Sequence, residues 1–160
     1  MLFLLLAFLV FLADLASKAW VHFKLPLMTL FYPHGGIPVF KDFFGINFSI
    51  VHQTNKGAAW GLFAYLQDYL LAFRIVTIGL ILGYLFFFNK TAMRRFPLLL
   101  ILSGAIGNVL DYFLYGHVVD MFYFTFWGYS YPVFNIADSA IFCGVAMLLL
   151  QSYSKKVYAV

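Results

Sequence analysis

GNVLDYFLYGHVVDMFYFTFWGYSYPVFNIADSA, residues 107–140, decides how this chain is read. Three aspartates, Asp111, Asp120 and Asp138, stand there among apolar and aromatic residues. All six acidic residues of the chain are aspartates, so half of them fall in about a fifth of its length. Ionisable groups in such surroundings are costly to desolvate, and by default they mark a functional site.

Around that stretch the 160 residues are 64% hydrophobic and only 10% charged, with a mean hydropathy of +0.93. A soluble domain carries about 25% charged residues. This composition cannot cover a water-facing surface, which makes the chain an integral membrane protein of one domain. The net charge of +4 comes from dispersed lysines and arginines. It lacks the density of a nucleic-acid footprint, so no nucleic-acid partner is expected. A single cysteine, Cys143, excludes an internal disulfide.

Four segments have membrane-spanning length and apolarity, at about residues 2–21, 69–88, 96–114 and 136–153. The first competes with a signal-peptide reading. It has no basic n-region, and Asp14 and Lys18 stand where a small-residue cleavage site belongs, so a retained helix is expected. Asp14 and Lys18 are four apart, share a helix face and can pair; the plain alternative is a structural ion pair near the headgroups. Gly79 and Gly83 form a small-xxx-small pattern in the second span, and Ser103, Gly104, Ala105 and Gly107 a similar face in the third. Gly104, Asn108 and Asp111 share one side of that helix.

The connection 22–68 carries a turn signal at His34–Pro38 and an alternation of Ile46, Phe48 and Ile50 that predicts a short half-buried strand. A glycine-rich run, residues 55–63, follows. The connection 115–135 has no Lys or Arg, and its tyrosines and tryptophan suit a membrane–water interface. Lys90, Arg94 and Arg95 in the loop 89–96, with Lys155 and Lys156 in the tail, put both termini in the cytoplasm and the two other connections outside. The expected fold over residues 1–160 is therefore an all-α integral membrane protein of four transmembrane helices with a small extracytoplasmic β-containing element.

Depth along the helices converges. At about 1.5 Å per residue, Asp14 and Asp138 lie roughly 20 Å, and Arg74 and Asp111 roughly 24 Å, from the cytoplasmic ends of their spans. Within a hydrocarbon core about 30 Å thick, that is one level in the outer leaflet. Snorkelling accounts for any one of these groups. Four at a common depth predict a shared polar site, which Asp120 can reach from its connection. There is no glutamate, no HExxH pattern and no Cys/His cluster, and the four histidines are scattered along the chain; neither a metal nor a cofactor is expected. Ser17 and Ser139 lack the strained turn of a nucleophile. Two carboxylates a few Å apart hold a proton between them and can activate water. A hydrolase, a proton-relay or transport subunit, and a lipid- or peptide-binding membrane protein all fit these residues.

The order of motifs resembles the lipoprotein signal peptidase (signal peptidase II) family. Asp14-Leu15-Ala16-Ser17-Lys18 is similar to its D-x-x-S-K element, and Asn55-Lys56-Gly57-Ala58-Ala59-Trp60-Gly61 to its N-x-G-A-A-F-G element. Gly107-Asn108-Val109-Leu110-Asp111 and Gly116-His117-Val118-Val119-Asp120-Met121-Phe122 resemble its third-helix and V-V-D-F elements, and Phe134-Asn135-Ile136-Ala137-Asp138-Ser139 its F-N-x-A-D-S element. The resemblance implies an intramembrane aspartyl endopeptidase of the bacterial cytoplasmic (inner) membrane, working near the outer leaflet surface without metal or cofactor. It implies a diacylglyceryl-modified prolipoprotein as substrate, cut just before the lipid-modified cysteine; membrane lipid is the other expected partner, and a monomer is expected. Asp120 and Asp138 match the catalytic pair. Asn55, Asn108 and Asn135 match polar residues around it, and Asp14, Lys18 and Asp111 supporting ones. Two positions depart from the pattern: Trp60 replaces the usual Phe, and Tyr112 replaces the Arg that usually follows the aspartate matched by Asp111. Arg74 and His117 are candidates by position to balance Asp111.

Overall fold

The computed structural model describes residues 1–29, 36–57, 62–89 and 91–157. The helices are α1 (Leu2–Lys24), α2 (Gln67–Gly83, prolonged by a π-helical turn at Tyr84–Phe88), α3 (Ala92–Tyr115) and α4 (Ile136–Val157). The strands are β1 (Ile37–Phe43), β2 (Ile46–Asn55), β3 (Val118–Phe126) and β4 (Tyr129–Ser130). Each of the four helices is long and apolar enough to cross a membrane, and the chain is a multi-pass membrane protein. Large side chains such as Phe8, Phe73, Phe86 and Phe142 point outward, as a lipid-facing surface requires.

Helix α3 is the hub, packing on α1, α2 and α4. Small residues let α4 close on it. A methyl group on Gly104 would collide with the Ala137 carbonyl, and one on Gly144 would sit 2.6 Å from both Ile101 and the Pro97 carbonyl. The expected packing role of Gly79 and Gly83 is corrected. A Cβ built on either meets nothing within 4 Å among the described residues, and α2 has no buried residue. Pro97 removes one N–H from the first turns of α3 and frees the carbonyl four residues earlier. That carbonyl belongs to Met93, and Gln151 of α4 donates to it through Nε2 at 3.0 Å.

The β element is larger than the sequence reading expects, so the all-α description is too narrow. The strands form one antiparallel sheet in the order β1-β2-β3-β4, and the aromatic connection 115–135 is largely the β3–β4 hairpin. Both hairpins turn on an aromatic–glycine pair. Phe44–Gly45 and Trp127–Gly128 all have positive φ, the signature of two-residue type I′ loops. The two turns touch: Trp127 N–H donates to the Gly45 carbonyl at 2.8 Å, and a side chain on Gly45 would strike the Trp127 ring. Phe48 and Phe124 stack across the sheet at 4.4 Å. At the other end of the sheet Val119 and Met121 are buried with Val21 of α1, which seats the sheet on the helices. The register there pairs Gln53 with Asp120 and Asn55 with Val118. His34 and Gly35 of the turn signal, 58–61 of the glycine-rich run, and Lys90 lie outside the described residues.

Thermal unfolding in detergent should separate the two glycine sets. Gly104→Ala overpacks the α3–α4 contact and is expected to destabilise by about 1–3 kcal/mol. Gly79→Ala meets open space and is expected to be neutral or slightly stabilising.

Candidate active site

Lys18 sits at the centre of the polar level. It is fully buried, and its Nζ lies 2.8 Å from Asp14 Oδ2 and 3.0 Å from Asp111 Oδ2. It also donates to Asn108 Oδ1 at 2.9 Å. Lysine therefore balances Asp111, and the two candidates named by position are corrected. Arg74 donates instead to the Gly57 carbonyl at 3.1 Å, and His117 joins other histidines.

The two supporting aspartates also grip the backbone. Asp111 Oδ2 accepts from Val119 N–H at 3.1 Å, and Asp14 Oδ1 accepts from Ala137 N–H at 2.8 Å. Val119 immediately precedes Asp120, and Ala137 immediately precedes Asp138. Each aspartate in the ionic core thus fixes the residue before one member of the outer pair. Asp14 also supplies an acceptor to a free N–H in the first turn of α4, where a negative group is electrostatically favoured.

Asparagines then link Asp120 and Asp138. Asn135 Nδ2 donates to Asp120 Oδ1 at 2.8 Å, and Asn55 Nδ2 donates to Asp120 Oδ2 at 2.9 Å. Asn108 Nδ2 donates to Asp138 Oδ1 at 2.8 Å. Asn135 caps α4 reciprocally: its Oδ1 accepts from Asp138 N–H at 2.8 Å while its own N–H reaches Asp138 Oδ2 at 3.3 Å. That is a capping box, which the spacing Asn135-x-x-Asp138 signals in the sequence. Asn55 is held by an Asx turn, its Oδ1 accepting from Gly57 N–H at 2.9 Å. The hydroxyls of Ser17 and Ser139 donate to the carbonyls of Asp14 and Asn135, so neither is poised as a nucleophile.

The pair is asymmetric. Asp120 is 2% exposed, while Asp138 is half-buried and lines a cavity of about 770 Å³ with Asn55, Arg74, Asn108, Ile141 and Phe142. Burial, and then the nearby Asp138 charge, push the Asp120 carboxyl up to about 7 against the hydrogen bonds that favour its charged form. All eight site residues anticipated from the sequence therefore belong to one connected network. Tyr112 stands apart from it: its hydroxyl donates to Asp68 Oδ1 at 2.7 Å on the exposed side of α3. The expectation of scattered histidines is also corrected, because His22, His52 and His117 converge from three elements. Burial and the neighbouring His22 and His52 hold the His117 imidazole below its usual range.

The family model described as "Signal peptidase (SPase) II" matches residues 6–154. The chain belongs to the signal peptidase II family. The lipoprotein signal peptidase of Chlamydia trachomatis serovar L2b is 37% identical over 147 residues, 89% of this chain and 88% of that protein. That of Bacillus pumilus is 34% identical over 155 residues, 94% of this chain and 92% of the relative. With Chlamydia pneumoniae the identity is 40% over 109 residues, covering 67% of this chain and 65% of the relative's length. A bacterial membrane enzyme solved by the in meso method at 2.3 Å superposes with a TM-score of 0.78 over 96% of this chain and 88% of that one, at 24% identity. A second, at 1.9 Å, gives 0.74 over 93% and 90%, at 25% identity.

Replacing Lys18 by Met leaves two buried carboxylates without their counter-ion. A loss of about 3–5 kcal/mol is expected, enough to abolish the folded protein in detergent. Tyr112→Phe removes one exposed hydrogen bond and should cost no more than about 1 kcal/mol by the same unfolding measurement.

Proposed function

We propose that this chain is the endopeptidase that removes the signal peptide of bacterial prolipoproteins just before the diacylglyceryl-modified cysteine, with Asp120 and Asp138 as its catalytic pair. One observation carries the assignment: Asn135 ties both carboxylates together beside a cavity that one of them faces. Asn55, Asn108 and Asn135 orient the pair, and Asp14, Lys18 and Asp111 support it.

The asymmetry supports a division of roles. Asp120, with its carboxyl near 7, carries the shared proton. Asp138, on the cavity, is the general base. It takes a proton from water as the water oxygen bonds to the scissile carbonyl carbon, and Asp120 gives its proton to the carbonyl oxygen. The tetrahedral intermediate collapses when the peptide nitrogen receives the proton held on Asp138 and Asp120 recovers its own.

The cavity runs between Arg74 of α2 and the Ile141–Phe142 side of α4, and Phe142 is 74% exposed. This supports lateral entry of the substrate, with its acyl chains remaining in lipid. The single membrane domain 1–160 acts as a monomer in the inner membrane, both termini cytoplasmic, with the sheet and the pair on the outer side.

Asp120→Asn and Asp138→Asn should each cut cleavage of a lipid-modified prolipoprotein by at least about 100-fold at unchanged protein level; full activity in either would sink the assignment. Stability offers a second reading. The folded chain keeps a proton on Asp120 that the unfolded chain releases near 3.8. Stability is therefore expected to fall as pH rises from about 4 to 7, by up to about 4 kcal/mol. The pH slope of the unfolding temperature should flatten in Asp120→Asn.

A further inference from the structure

Three of the four histidines meet one helical turn beyond the ionic core. His22 follows Lys18 on the same face of α1, His52 comes from β2, and His117 from the turn between α3 and β3. One ring nitrogen of each lies within 4.8 Å of those of the other two. Each also has a buried ring nitrogen without a hydrogen-bond partner: His22 Nδ1, His52 Nε2 and His117 Nε2. His52 is only 4% exposed, and its Nδ1 lies 3.0 Å from the Leu25 carbonyl. A carbonyl only accepts, so Nδ1 carries the proton and Nε2 turns a lone pair toward its neighbours. Metal-bound histidines are oriented in this way, by a backbone acceptor behind the ring.

We propose that His22, His52 and His117 bind one divalent transition-metal ion of the zinc class, which clamps the outer end of α1 to β2 and to the turn leading into β3. Imidazole donors select zinc, copper, nickel or cobalt over magnesium and calcium, which take oxygen. Zinc–nitrogen bonds of about 2.0–2.1 Å put tetrahedral ligands about 3.3 Å apart, so the three rings would draw together on binding the ion. Three ligands leave a fourth position for solvent. The stacking of His22 on Tyr115, at 4.2 Å, fixes one ring from its face and leaves its in-plane nitrogens free. The exposed Lys56, whose charge acts on His117, is screened by solvent. The ion would be structural: it would hold His117, three residues before Asp120, and take no part in proton transfer.

The test uses the full chain in detergent, stripped with a chelator and titrated with Zn²⁺ against a chromophoric competitor. The expected result is one ion per chain at micromolar or tighter affinity, an unfolding temperature several degrees higher with zinc, and zinc-edge X-ray absorption fitting three imidazoles. His117→Ala and His52→Ala should lose saturable binding, whereas Cys143→Ala and Asp120→Asn should keep it. Elution volume and helical circular dichroism identify variants that remain folded, and the absorption spectrum of the unaltered chain decides if none do. Absence of saturable binding, fewer than two imidazoles on the bound ion, or undiminished binding in folded His117→Ala would each overturn the proposal and leave an aromatic packing cluster.

Discussion

A lysine ammonium buried to zero exposure organises this protein. Removing such a charge from water is tolerable only when its donors are matched, and Lys18 is met by Asp14, Asp111 and Asn108. Two carboxylates against one ammonium leave excess negative charge. The backbone absorbs it, through Ala137 N–H at the start of α4 and Val119 N–H at the start of β3. The electrostatic requirement of the core thus becomes a positional constraint on the two chain segments that carry Asp138 and Asp120. Helix α3 supplies Asn108 and Asp111 one turn apart, and Gly107 lets α1 approach, since a Cβ there would sit 2.6 Å from Asp14 Oδ2.

Much of this was legible in the sequence because the membrane simplifies the reading. Twenty apolar residues fix a span, and the rise per residue converts position into depth. Asp14, Asp111 and Asp138 could be put at one level before any contact was known. Depth carries no azimuth, however. Arg74 shares the level, yet it bonds the Gly57 carbonyl at the cavity wall rather than Asp111. Strand β3 was hidden for a different reason. In Val118–Phe126 nearly every residue is apolar or aromatic, since one face packs on the helices and the other builds the Phe48–Phe124–Phe134 stack. Without alternation the period-two signal disappears. The histidines were invisible because residues 22, 52 and 117 converge only after α1, β2 and the end of α3 have packed.

Tyr112 shows why a departure from a family pattern must be read on the helix. Neighbouring residues on a helix face directions about 100° apart, so the residue after Asp111 cannot point where Asp111 points. Tyr112 reaches Asp68 at the start of α2, on the exposed side of α3. The counter-ion that Asp111 requires is Lys18, which the chain retains. Tyr112 therefore serves the α2–α3 contact, while Lys18 meets Asp111.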